Sequence, residues 1–147
     1  MPNKSGPFIS DFHSLSPEDL YEILRARVNV FVVEQDCPYP EVDGIDYIST
    51  HLFVKEGNEV VAYARVYPDK EDQVWHIGRV LTTRRGEGLG TVIMDSAIQD
   101  ARRAGARIIR IEAQSYAIGF YEKSGFKVIS DEFLMDGIPH VRMEWTD

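Results

Sequence analysis

Thr82-Thr83-Arg84-Arg85-Gly86-Glu87-Gly88-Leu89-Gly90-Thr91 is the stretch on which the reading of this chain turns. A β-type run, Gln73 to Leu81, leads into it and a helix-type run, Val92 to Ala104, leads out, so three glycines and two arginines fall at a strand-to-helix turn. Glycine has no Cβ, which lets the turn tighten and brings backbone N–H groups close to a ligand. The helix that follows offers unpaired N–H groups and the positive end of its dipole, and Arg84 and Arg85 add full charges. These features suit an anionic, phosphorylated ligand. Taken alone, the stretch is equally well read as a turn that only reverses the chain.

The spacing narrows the ligand. A dinucleotide fingerprint needs a third glycine at position 91, which is Thr91, and a P-loop needs Gly-Lys-Ser/Thr, which is absent. On the N-terminal side, a short strand is expected around Phe8 to Phe12. Ser16-Pro17-Glu18-Asp19 then reads as an N-cap, a proline at the first helical position and acids in the first turn. Leu20, Ile23, Leu24, Val28 and Phe31 recur at helical spacing as the buried face, and the β-branched run Val30 to Val33 is expected to end the helix. A Pro- and acid-rich loop follows over 34–44, its acids read as mostly solvated. His51 to Lys55 and Val60 to Tyr67 form a hairpin about Gly57-Asn58, and Gln73 to Leu81 adds a third strand.

Beyond the glycine loop, Ile93, Met94, Ala97, Ile98, Ala101 and Ala104 form an apolar stripe that Gly105 ends. Arg107 to Ala113 is strongly β-type, and Ser115 is positioned to cap a short helix through Lys123. Phe126 to Ser130 and His140 to Trp145 read as two last strands joined by a turn at Asp136-Gly137-Ile138-Pro139. The expected fold is a single α/β domain over 1–147, a mixed, mostly antiparallel sheet with helices on both faces, and residues 1–7 are expected to be a flexible lead-in.

With 16 Lys plus Arg against 24 Asp plus Glu, the net charge of −8 argues against a nucleic-acid partner met by a basic face. A cationic partner is compatible with it. The single cysteine, Cys37, excludes an internal disulfide and fits a reducing compartment. It has no cation beside it in sequence to stabilise a thiolate and reads as an ordinary loop residue. No apolar run is long enough to span a membrane and the first residues carry no apolar leader, so a cytoplasmic location is expected.

Arg85-Gly86-Glu87-Gly88-Leu89-Gly90 resembles the Arg-x-x-Gly-x-Gly signature of the GNAT acyltransferases. Gly119-Phe120-Tyr121-Glu122-Lys123-Ser124-Gly125-Phe126 resembles a second run of the same family, in the family's order and separation. Phe31 to Tyr39, Glu41 to Gly44 and Asp136 to His140 are similar to the ElaA-like subgroup. The resemblance implies a ternary reaction in which acetyl-CoA donates its acetyl group to a primary amine on a small molecule or peptide, without a metal. It implies a pyrophosphate on the amides of Gly86, Gly88, Leu89, Gly90 and Thr91 beside Arg85. It further implies a pantetheine arm along Val80, Leu81 and Thr82 with Ser115 nearby, and Tyr121 as the proton donor to the leaving thiolate. Phe120, four residues from Tyr116, reads as core packing with it. Glu34, His51, Glu112 and His140, with His76, are the candidates for the acceptor side and its base. Thr82, Arg84 and Ser115 depart from the residues many relatives carry. Many relatives are homodimers. An acyl-CoA sensor of the same fold that releases no thiol is the alternative.

Overall fold

The computed structural model describes residues 3–147. Ser16 caps the first helix as its context demands: its side-chain oxygen accepts the Asp19 amide at 3.0 Å, and Pro17 opens α1, Pro17–Arg27. The β-branched run does not stop the helix but widens it into a π-helical segment, Val28–Glu34. There Gln35 N–H donates to Val30 O and Cys37 N–H to Val32 O, five residues back. Such wide turns are uncommon and gather at functional sites.

The strands are β1 Lys4–Asp11, β2 Thr50–Glu56, β3 Glu59–Pro68, β4 Val74–Thr82, β5 Ile108–Gln114, β6 Lys127–Val128, β7 Phe133–Met135 and β8 Ile138–Thr146. They form one sheet in the order β1-β2-β3-β4-β5-β8-β6, with β7 also on β8. Among the described residues only β4 and β5 run parallel; the other pairs are antiparallel. Helix α2, Leu89–Arg103, is the crossover between the two parallel strands, and α3, Ile118–Lys123, follows β5.

Each face of the sheet is covered. Ile93, Met94, Ala97 and Ala101 of α2 pack on Leu52, Ala62, Ala64, Ile109 and Ile111. Ile23 and Ala26 of α1 pack on Phe53, Tyr63 and Leu81 on the other face. With both sides dry, β3 is buried continuously from Val60 to Val66 and shows no polar alternation.

Several expectations are corrected. Strand β1 starts at Lys4, because its backbone pairs with Glu56 and Lys55 at the end of β2; this removes residues 4–7 from the expected flexible lead-in, and residues 1 and 2 lie outside the described residues. Val28 and Ala104 are exposed, one past the end of α1 and one at the turn closing α2. The strand expected over Phe126 to Ser130 shrinks to Lys127–Val128. The turn at Asp136-Gly137, both with positive φ, joins β8 to the three-residue β7 instead.

Candidate active site

Strands β4 and β5 share register over Val74–His76 and Ile108–Arg110; past His76 and Arg110 they part. Strand β4 stays bonded to β3 as far as Thr82, so the parting opens a cleft within the sheet. Where β4 turns away it carries an extra residue: Tyr63 faces Leu81 and Arg65 faces Gly78, leaving Arg79 and Val80 opposite Ala64 alone. This β-bulge holds Arg79 at φ 54°, a left-handed conformation that costs a non-glycine residue roughly 1–2 kcal/mol. The cleft, about 450 Å³, takes Ile77 to Val80 as one wall and Ile111, Glu112 and Gln114 as the other.

Of the three residues expected to meet the pantetheine, only Val80 lines this cleft. Leu81 is buried under α1. Thr82 closes the loop, its hydroxyl donating to Arg84 O and accepting Arg84 N–H. The glycine loop then leads into α2. Gly86 and Gly88 hold φ 78° and 75°, and nothing stands within 4 Å of where a Cβ would project from either. Gly88 is the N-cap and no side chain caps the helix, so the amides of Leu89, Gly90 and Thr91 face outward without a side-chain acceptor. This open, amide-lined cradle suits the pyrophosphate of an acyl-CoA. Gly90 serves packing as well: a Cβ there would stand 3.1 Å from the Phe120 ring. Phe120 is thus a packing residue, with α2 as its partner, while Tyr116 is exposed.

The arginines of the loop are already engaged. Arg84 lies 3.5 Å from Glu56 and 3.6 Å from Glu59. Arg85 pairs with Glu34. Glu34 therefore sits at the glycine loop, outside the cleft lining, and neutralises the arginine expected beside the phosphates.

Tyr121 lines the cleft from α3, edge-on to Phe120 and Phe126 at 5.1 and 6.2 Å. Burial pushes its hydroxyl well above the ordinary phenol range, so the group keeps its proton. Ser115 donates to Glu132 at 2.8 Å and is not part of the lining.

The polar wall of the cleft alternates along β5: Arg110, Glu112 and Gln114 on one face, buried Ile109, Ile111 and Ala113 on the other. Gln114 exchanges amide hydrogen bonds with Gln35, at 3.0 and 3.4 Å, tying this wall to the end of the π-helical segment. His140, opposite Gln114 on β8, is buried and stacks on Phe133. Its Nδ1 donates to Ile138 O at 2.7 Å, which leaves the Nε2 lone pair as an acceptor. His76 stacks on Tyr67 and donates through Nε2 to Asp69 at 2.7 Å. His51 is different: fully buried and outside the cleft lining, it accepts the Tyr63 hydroxyl at Nδ1 and donates from Nε2 to Asp46 O. Burial lowers its pKa, so it is a neutral core histidine.

The acids read as a solvated loop are instead an ion network. Arg27, with no exposed surface, binds Glu41 at 3.0 Å and Asp46 at 2.6 Å. Arg65 binds Asp43 at 2.7 Å and Asp46 at 3.1 Å. Arg79 donates to Glu41 O and Asp43, and its Nε stands 2.6 Å from Glu41 Oε2 without aligning as a hydrogen bond. Tyr39 donates to Glu41 at 2.6 Å. Burial raises the Asp43 carboxyl, but the hydrogen bond and charge of Arg65 outweigh it and hold the group at about 2. These three arginines lie on three different elements, α1, β3 and β4, and no local sequence pattern joins them.

A sheet that parts at a bulged β4, with a glycine cradle at one end and a protonated tyrosine inside, defines an acyl-CoA-dependent acyltransferase. Comparison with known proteins gives the family. Residues 17–147 match the acetyltransferase (GNAT) domain, and the chain belongs to that family. It is 42% identical over 137 residues to a UPF0039 protein of Schizosaccharomyces pombe, covering 90% of this chain and 91% of the relative. It is 35% identical over 141 residues to protein ElaA of Escherichia coli, covering 90% and 92%. The crystal structure of ElaA superposes with a TM-score of 0.87 over 99% of both chains. An acyl-CoA N-acyltransferase from Pseudomonas aeruginosa superposes with a TM-score of 0.87 at 32% identity, over 98% of this chain and 99% of that one. The protein is an acyltransferase. Among the described residues, no helix is long and apolar enough to cross a membrane, and no group of three or more His, Cys, Asp or Glu is disposed to hold a metal ion.

Proposed function

We propose that the chain transfers the acetyl group of acetyl-CoA to a primary amine by direct attack in a ternary complex. The observation that carries this reading is the parting of β4 from β5 beyond His76, ahead of the Arg79–Val80 bulge, with Tyr121 lining the gap. The freed edge of β4 is a hydrogen-bonding strand without a neighbour, suited to the amides of the pantetheine arm. An N–H at the bulge is placed to receive the oxyanion; losing such a donor costs roughly 2.7–4 kcal/mol in studied enzymes.

Proton traffic falls to two side chains. His140 Nε2 takes a proton from the amine as the nitrogen bonds to the carbonyl carbon and the C–S bond breaks. Tyr121, the phenol that lines the gap, gives its proton to the departing sulfur. Over the cycle His140 passes its proton to solvent and Tyr121 recovers one. Glu112 stands on the same wall and draws the cationic form of the amine, which loses one proton to solvent before the neutral nitrogen attacks.

The test is thiol release in the presence of amines. Tyr121→Phe is expected to lower kcat about 10²- to 10⁴-fold with acetyl-CoA affinity by calorimetry retained. If the native chain binds acetyl-CoA and releases no thiol with any amine, it is a sensor and this reading fails.

A further inference from the structure

The charged groups that line the cleft are Arg65, Arg79 and Arg110 against Asp43, Glu112 and Asp136. Each arginine already has its counter-charge. Arg65 and Arg79, together with Arg27 behind them, are matched by Asp43, Glu41 and Asp46. Arg110 is held by Glu144 at 2.7 Å and lies 3.4 Å from Glu71. Among the described residues, Glu112 and Asp136 have no salt-bridge partner. The cross-strand neighbour of Glu112, Arg142, lies over the Phe133 ring at 5.3 Å instead.

The wall therefore offers uncompensated negative charge and no uncompensated cation. Glu112 shares the cleft lining with Tyr67 of β3, whose hydroxyl is held protonated by burial, with the charge of Arg65 opposing and that of Glu112 adding to the shift. Between the charges, beside the amides of Gln35 and Gln114, the lining includes an apolar set, Phe31, Ile45, Ile77, Val80, Met135 and Ile138. Such a surface accepts methylenes and rejects a second anion, since a carboxylate on the acceptor would meet Glu112 without a free guanidinium to offset it.

We propose that the acceptor is an alkyl diamine, whose second ammonium is held by Glu112 while its chain crosses the apolar lining. This rests on the acetyl-transfer reading above and narrows it to a substrate class. One nitrogen is acetylated as neutral amine; the other stays charged and supplies orientation.

Three acceptors with the same five-carbon chain isolate the end group: 1,5-diaminopentane, pentylamine and 5-aminopentanoate, each assayed with the intact chain and acetyl-CoA by thiol release. The expected order of kcat/KM is diamine, monoamine, amino acid, with the diamine about fivefold above pentylamine, the scale of a partly exposed ion pair. In Glu112→Gln the ratio of diamine to pentylamine falls towards one, and about 0.5 M salt narrows it in the native chain. Because the ratio is taken within one enzyme preparation, a loss of folded protein cancels. Turnover of 5-aminopentanoate at or above the diamine rate, or a ratio that Glu112→Gln leaves unchanged, overturns the proposal while acetyl transfer stands. Thiol release with none of the three, despite acetyl-CoA binding, overturns the diamine proposal, and only its absence with every amine tried overturns acetyl transfer.

Discussion

At Tyr121 and Glu34, single side chains are set by what surrounds them rather than by their own chemistry. Tyr121 keeps its proton because its hydroxyl is dehydrated. Glu34 is a carboxylate laid on Arg85, and under the proposed function it would compete with the pyrophosphate for that guanidinium. Both partners are largely exposed, so the competition is modest. Glu34→Gln is expected to tighten acetyl-CoA binding by roughly two- to fivefold in low-salt calorimetry, with the gain disappearing at high salt. Equal or weaker binding would show that Glu34 holds Arg85 in place rather than opposing the ligand. Arg79 offers a test of conformation. Strand propensity ranks alanine above glycine, but φ 54° reverses the order. Arg79→Gly is expected to be about 1 kcal/mol more stable than Arg79→Ala in urea, with both below the native chain because Glu41 loses a cation.

At the scale of elements, legibility follows the distance over which the signal acts. The glycine loop and the Tyr121 run are local patterns, each within ten residues, and both end where their spacing requires, one capping α2 and one inside α3. The hairpin at Gly57-Asn58 and the start of α1 are equally local. The network of Arg27, Arg65 and Arg79 was not legible, because the acids of the 39–46 loop meet arginines from α1, β3 and β4 only after the sheet has formed. His51 misled for the same reason: nothing near it in sequence announces that Tyr63 and Asp46 satisfy both its nitrogens. The packing of α2 on α3 carries a further prediction. Gly90→Val would press on Phe120, costing about 1–3 kcal/mol by thermal unfolding and lowering turnover through the adjacent Tyr121. Phe120→Leu in the same chain is expected to restore part of both; if turnover falls while stability holds and no second change rescues it, Gly90 acts on the ligand alone.

For the whole molecule, the buried histidine and the ion network give a two-stage response to acid. Burial keeps the His51 pKa below its ordinary 6.5, so its contribution to stability is full above that pH and declines as pH falls below it. Asp43, held at about 2 against an ordinary 3.8, contributes fully above about pH 4 and loses its contribution as pH falls through about 2. Asp46 shifts in the same direction, since Arg27 outweighs the effect of its burial. A melting-temperature profile is therefore expected to slope gently below pH 6.5 and steeply below pH 4. Asp43→Asn should flatten the second limb only; a single steep limb near neutrality would contradict the assignment.

The three register pairs that join β4 to β5 have a mechanical meaning. Among the described residues they are the sole β-ladder joining the meander β1–β4 to the half built from β5, β6, β7 and β8, and the core under α2 is what else holds the two halves together. A ligand lying in the gap lengthens that ladder. Amide hydrogen exchange along 77–82 and 111–114 should slow together when acetyl-CoA binds, far more than exchange within either half.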